Sequence, residues 1–78
     1  MSQLRTPPPG ALSERELEVL ALISQGFTNR GAAAQLFISE ATVKTHLLHI
    51  YAKLDVSDRA AAVATAFERG LLMLRPKT

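Results

Sequence analysis

The chain has 78 residues, of which 47% are hydrophobic and 21% charged, with no cysteine. That length holds one small domain with a modest core, and the lack of thiols excludes disulfides and thiolate metal ligands. A formal net charge of +2, with a sequence pI near 9.5, is too slight to name a polyanion partner by itself. No apolar run approaches membrane-spanning length, and the start MSQLRTPPPG has no secretory apolar core, so a soluble, cytoplasmic protein is expected.

Residues 1–11 contain three consecutive prolines and a glycine and read as an extended linker or tail. They are either the link to a preceding domain or the frayed end of a complete small protein. The domain proper is expected over 12–74, with 75–78 a short tail. In LSERELEVL, Ser13 and Glu16 have the spacing of a capping box, and Leu12 and Leu17 that of a hydrophobic staple. A first helix is predicted over 14–25, ended by Gly26. Thr28 caps a short second helix over 29–36, in which Gly31 is a weak point because glycine costs about 1 kcal/mol relative to alanine in a helix interior. The turn Leu36-Phe37-Ile38 leads to Ser39, the cap of a third helix that runs to Leu54. Ser57 is read as the cap of a fourth, Ala-rich helix that Gly70 ends. With no strand signal, the fold class is all-α: four helices, the second and third joined by the short turn of a helix-turn-helix unit.

The third helix has two unlike faces. At about 100° per residue, Val43, Leu47, Ile50 and Leu54 fall on one core stripe. The opposite face carries Ala41, Lys44, Thr45, Leu48, His49 and Ala52, whereas a merely solvated face is rich in Glu, Lys and Gln. Charge is divided as well: residues 13–25 are net −2 and residues 26–54 net +2, with His46 and His49 in addition. A helix entering the major groove needs a slim line of contact, which Ala41, Thr45 and Ala52 provide. Lys44 can reach a guanine edge or a phosphate, Thr45 can offer hydroxyl or methyl, and Leu48 can touch a thymine methyl. His49 can donate to a phosphate, and Thr28, Asn29 and Arg30 open a helix whose free amides favour one. Double-stranded DNA is therefore the expected partner.

The motifs L-S-x-R-E-x-E-V-L at 12–20, G-x-T-N at 26–29 and L-x-I-S-x-x-T-V-K-x-H at 36–46 resemble the LuxR-type, or GerE-like, DNA-binding domain. So do I-x-x-K-L-x-V at 50–56 and R-x-x-A-V-x-x-A at 59–66. The resemblance runs without gaps from 12 to about 70. It implies sequence-specific promoter binding, output from a response regulator of a two-component system, and an N-terminal receiver or ligand-sensing domain. It also implies homodimers formed through the fourth helix. Carried over by position, base reading falls on Lys44, Thr45 and Leu48, and phosphate contacts fall near Thr28, Asn29, Thr42 and Lys53. Many relatives have Lys or Arg where this chain has Leu48. Relatives also commonly read N-[KR]-E-I-A where this chain has Asn29-Arg30-Gly31-Ala32-Ala33. A buried Ile reduced to Ala32 leaves a hole worth about 2–5 kcal/mol unless Phe27 or Phe37 fills it, so a weakly held second helix is expected.

Each assignment has a plainer counterpart. Thr42 either assists the Ser39 cap or meets a phosphate. Arg59 either pairs with Asp55 or Glu18 or touches DNA. His46 sits beside the core stripe and reads as structural; no third ligand accompanies His46 and His49, so no metal is expected. In the fourth helix, Ala60, Ala61, Ala64 and Phe67 are read as a dimer interface, against the alternative of a simple helix former. There is no Gly-rich phosphate loop, carboxylate pair or nucleophile with a base, so neither an enzyme nor a cofactor site is expected. The alternative function is a protein-interaction module on the same fold, binding through Leu48 and the apolar tail.

Overall fold

A computed structural model describes residues 11–73; the Pro-rich segment before Ala11 and the tail after Met73 lie outside the described residues. Four helices follow one another: α1 (Glu14–Ser24), α2 (Asn29–Leu36), α3 (Glu40–Leu54) and α4 (Arg59–Glu68). No strand occurs among the described residues. The all-α, four-helix expectation is met, and Phe37–Ser39 form the three-residue turn between α2 and α3.

Each helix begins on a side-chain oxygen that takes up a free amide of the first turn. The Ser13 hydroxyl accepts from the Glu16 amide at 3.1 Å, while the Glu16 carboxylate accepts from the Ser13 amide at 2.8 Å. Thr28 accepts from Gly31 at 3.0 Å, and Ser39 accepts from Thr42 at 3.0 Å. The cap of α4 is Asp58, accepting from Ala61 at 2.8 Å, and not Ser57 as expected. Both residues are good caps, and the aspartate carboxylate also complements the positive end of the helix dipole.

Each helix also ends in the same way, with one left-handed residue and a backbone bond reaching five residues back. The bonds run from Phe27 to Leu22 (3.1 Å), Ile38 to Ala33 (3.1 Å), Val56 to Tyr51 (3.0 Å) and Leu71 to Ala66 (2.8 Å). Gly26 and Gly70 fill the left-handed position of α1 and α4, but Phe37 and Asp55 fill it in α2 and α3, both at φ 58°. A side chain there costs roughly 1–2 kcal/mol. For Phe37 nothing in packing offsets that, since it is 95% exposed.

The core is built around α3. Val43, Leu47, Ile50 and Leu54 are at most 4% exposed, as the stripe predicted, and meet Val19, Leu20 and Ile23 of α1. From α2 and α4 come only small buried residues: Ala32, Ala33, Ala62 and Ala66. The space beside α2 is taken by Phe27, which packs against the core, and not by Phe37. Gly31 explains how: a Cβ there would stand 3.2 Å from the Phe27 ring and 3.3 Å from the Thr28 hydroxyl oxygen. The missing side chain lets the ring lie over the first turn of α2.

Two measurements check these points. Phe37→Asn, which tolerates the left-handed conformation, is expected to stabilise the domain by up to about 1 kcal/mol in urea unfolding. Because α2 fully buries only alanines, its amides are expected to exchange faster than those of α1 and α3 under native conditions. Equal protection in all three helices would contradict this.

Candidate nucleic-acid interface

With one stripe of α3 in the core, the opposite one faces out. Ala41, Lys44, Thr45, Leu48, His49 and Ala52 are all exposed, Leu48 at 64%. Lys44, Thr45 and Leu48, the side chains expected to read bases, are thus brought together on one outward surface. His46 is half-buried at its edge.

Several of these side chains are held by contacts within the fold. The Thr45 hydroxyl donates to the Ala41 carbonyl one turn back, at 3.1 Å. Its proton is therefore used inside the helix, leaving the oxygen as an acceptor and the methyl as an apolar contact. Thr42 lies 2.8 Å, oxygen to oxygen, from Ser39 and extends the cap of α3. Thr28 and Arg30 are exposed at the start of α2, and Asn29 beside them is half-buried.

The Asn29 side-chain oxygen accepts from the Arg59 guanidinium, which also donates to the Phe27 carbonyl at 3.5 Å. Of the two alternatives for Arg59, the pairing with Asp55 or Glu18 is not formed. Arg59 reaches from the start of α4 to the start of α2, and by occupying the amide oxygen of Asn29 it leaves the amide NH2 as the group available to an outside acceptor.

Lys53, expected near a phosphate, also has a partner within the fold: its ammonium donates to the Glu16 carboxylate at 2.8 Å. Glu16 is only 4% exposed and also closes the capping box of α1. Burial pushes its carboxyl up, but the Lys53 ammonium and the Ser13 amide outweigh burial and hold it below its ordinary value. The contact ties the start of α1 to the last turn of α3.

In α4, Ala60 and Ala64 are exposed, whereas Ala61 is half-buried. Phe67 is also half-buried, at a shallow groove beside Ala21, Gln25 and Leu72. Of the proposed interface, Ala60 and Ala64 are the fully outward members. Among the described residues, no helix is long and apolar enough to cross a membrane.

Residues 10–66 match the profile of the family described as bacterial regulatory proteins, luxR family. The chain is 48% identical over 65 residues to the transcriptional regulatory protein LiaR of Bacillus subtilis, covering 83% of this chain and 31% of that protein. It is 49% identical over 70 residues to the probable transcriptional regulatory protein NarL of Mycobacterium tuberculosis, covering 90% and 32%. The chain thus spans about a third of the length of these relatives. Among solved structures, it is similar to response regulator ChrA of a heme-sensing two-component system, with a TM-score of 0.79 and 56% identity over 85% of this chain and 33% of that one. It is also similar to the transcription factor GerE, with a TM-score of 0.76 and 34% identity over 80% and 92%.

A lowered carboxylate pKa stabilises the fold above the unfolded-state value, and that stability is lost as pH falls through the folded-state value. Glu16→Gln, which can still accept from the Ser13 amide, is therefore expected to lower stability at neutral pH and to flatten the acid limb. Urea midpoints across the carboxylate range check this. An acid limb unchanged in Glu16→Gln would contradict the assignment.

Proposed function

The chain belongs to the luxR family of bacterial regulatory proteins, and from that premise we propose that it binds promoter DNA as the output domain of a response regulator, with α3 in the major groove. It is a helix-turn-helix regulatory domain and not an enzyme. The observation that carries the groove reading is the slim, exposed face of α3. Its midline carries the small Ala41, Thr45 and Ala52 together with Leu48, with Lys44 on one flank and His49 on the other. Lys44, Thr45 and Leu48 read base edges. Thr28, Asn29, Arg30, Thr42 and His49 meet the phosphates on either side, helped by the positive end of α2.

Pairing of two such domains through α4 is part of the proposal, and the exposed alanines of that helix support it. Ala60 and Ala64 lie one turn apart and allow close approach of a second copy. Ala61 and Phe67 lie at the margin. The same reading pairs the domain with an N-terminal receiver or sensor, as response regulators have, and places it in the cytoplasm.

Titration of duplex DNA at two salt concentrations tests this reading. Affinity is expected to fall steeply with salt, by a logarithmic slope of about 0.9 per phosphate contacted. Binding that ignores salt would favour the alternative, a protein-interaction surface centred on Leu48. Lys44→Ala is expected to lose about 1–3 kcal/mol and to relax preference at one base step. Asn29→Asp keeps the bond to Arg59 but sets a carboxylate against the phosphate. It is expected to leave the melting temperature undiminished while weakening all duplexes by at least about tenfold.

A further inference from the structure

The outward line of α3 offers methyl groups where a groove reader usually offers hydrogen-bond donors. Ala41, Thr45, Leu48 and Ala52 follow one another at steps of four, three and four residues, and all are exposed. Neither alanine nor leucine carries a polar side-chain atom, and the one hydroxyl on the line donates inward to the Ala41 carbonyl at 3.1 Å. The whole line therefore presents carbon and a single acceptor oxygen, with no side-chain donor. Lys44 and His49, on its two flanks, are the nearest exposed donors along the helix. A strip of methyls between two donors suits the floor of a major groove between two phosphate walls better than it suits an apolar protein patch.

On that floor, one apolar group distinguishes the bases: the C5-methyl of thymine. Cytosine methylated at C5 places the same carbon at the same point. It adds an N4 amino donor, which the free acceptor oxygen of Thr45 can receive. We propose that the strip of Thr45 and Leu48 reads pyrimidine C5-methyl groups, so that the domain discriminates methylated from unmethylated cytosine as well as thymine from uracil. The inference rests on the DNA-binding reading above and concerns the chemistry that this surface selects.

The test uses the full chain. Short duplexes are selected from a random pool, and a selected duplex is resynthesised one position at a time with deoxyuridine for thymidine. A second series puts cytosine, and then 5-methylcytosine, at the same positions. Fluorescence anisotropy reads the affinity of each. Removing one buried methyl corresponds to about a fourfold loss, so uracil is expected to weaken binding by that factor at the steps beneath Thr45 and Leu48. Methylating cytosine at those steps is expected to restore about the same factor. Leu48→Ala should erase the thymine–uracil difference at one step. Thr45→Ser, which keeps the hydroxyl but lacks the methyl, should erase it at a neighbouring one.

Equal affinity for thymine and uracil duplexes would overturn the inference while leaving DNA binding intact. A uracil penalty that persists in both variants would also overturn it, because the effect would then belong to the stiffness of the DNA. Failure to retain any duplex at low salt would overturn the DNA-binding reading itself, and this inference with it.

Discussion

Helix α3 is held along a single line of side chains, and that constraint decides what the molecule can present. Val43, Leu47, Ile50 and Leu54 recur at steps of four, three and four, and each is sealed into the core. Burial of such a side chain stabilises by about 1.5–3 kcal/mol as an upper estimate. Rotating α3 about its own axis would forfeit that stabilisation along the whole line, so its angle is fixed. The line at 41, 45, 48 and 52 repeats the same steps on the far side and is thereby turned outward. Lys53 and Glu16 add a second fixed point, where the last turn of α3 meets the first turn of α1. A helix pinned along its length and at its end presents its outer face rigidly, which suits it to reading a surface.

Local chemistry was legible wherever one residue type dominates a role. Ser13 with Glu16, Thr28 and Ser39 announced three helix starts, and Gly26 and Gly70 announced two ends. Legibility stopped where two neighbours were equally suited. Ser57 and Asp58 are both good caps, and only the folded geometry selects the second. It stopped again at Phe37 and Asp55, whose left-handed conformation carries no glycine to mark it. The largest gap concerned long-range polar contacts. Lys53 and Glu16 lie 37 positions apart, and Arg59 and Asn29 lie 30 apart. Helical periodicity places a cation on a flank, but it cannot say whether a carboxylate from another helix arrives there first. A different, local ambiguity hid the bond from Thr45 to Ala41, because a hydroxyl at that position is equally compatible with facing outward.

The unusual start of α2 becomes coherent once Phe27 is included. Gly31 and Ala32, taken singly, each look like a loss, one of helix propensity and the other of buried volume. Taken with Phe27 they are one arrangement: the glycine leaves room for the ring, and the ring supplies apolar contact beside the small Ala32. Thr28 completes it by capping the same turn in place of a two-sided box. What α2 has to deliver on the DNA-binding reading is its first turn, with free amides and the Asn29 amide group directed outward. Arg59 fixes the orientation of that amide from outside the helix. The site therefore depends less on the rigidity of α2 than on the anchoring of its two ends.

The ion pair of Lys53 with Glu16 also bears on the charge left at the proposed interface. Lys53 is neutralised by the Glu16 carboxylate, whereas Arg59 donates only to neutral acceptors and keeps its charge. The cations on or beside the proposed surface that no carboxylate matches are therefore Arg30, Lys44 and Arg59, joined by the His49 imidazole. So few charges give a single domain a weak grip on phosphate, because non-specific affinity grows with each counterion released. On the proposed reading, discrimination then falls to neutral contacts: the free amides at the start of α2, the Asn29 NH2 and the methyl strip of α3. Such contacts are short-ranged and require correct seating, so they reject wrong sequences more strongly than they attract right ones. On the DNA-binding reading proposed above, affinity comes from joining two domains on one duplex, where the second binding event profits from the effective concentration set by the first. A domain that binds weakly alone and well in pairs is one whose occupancy can be governed entirely by whatever brings two copies together.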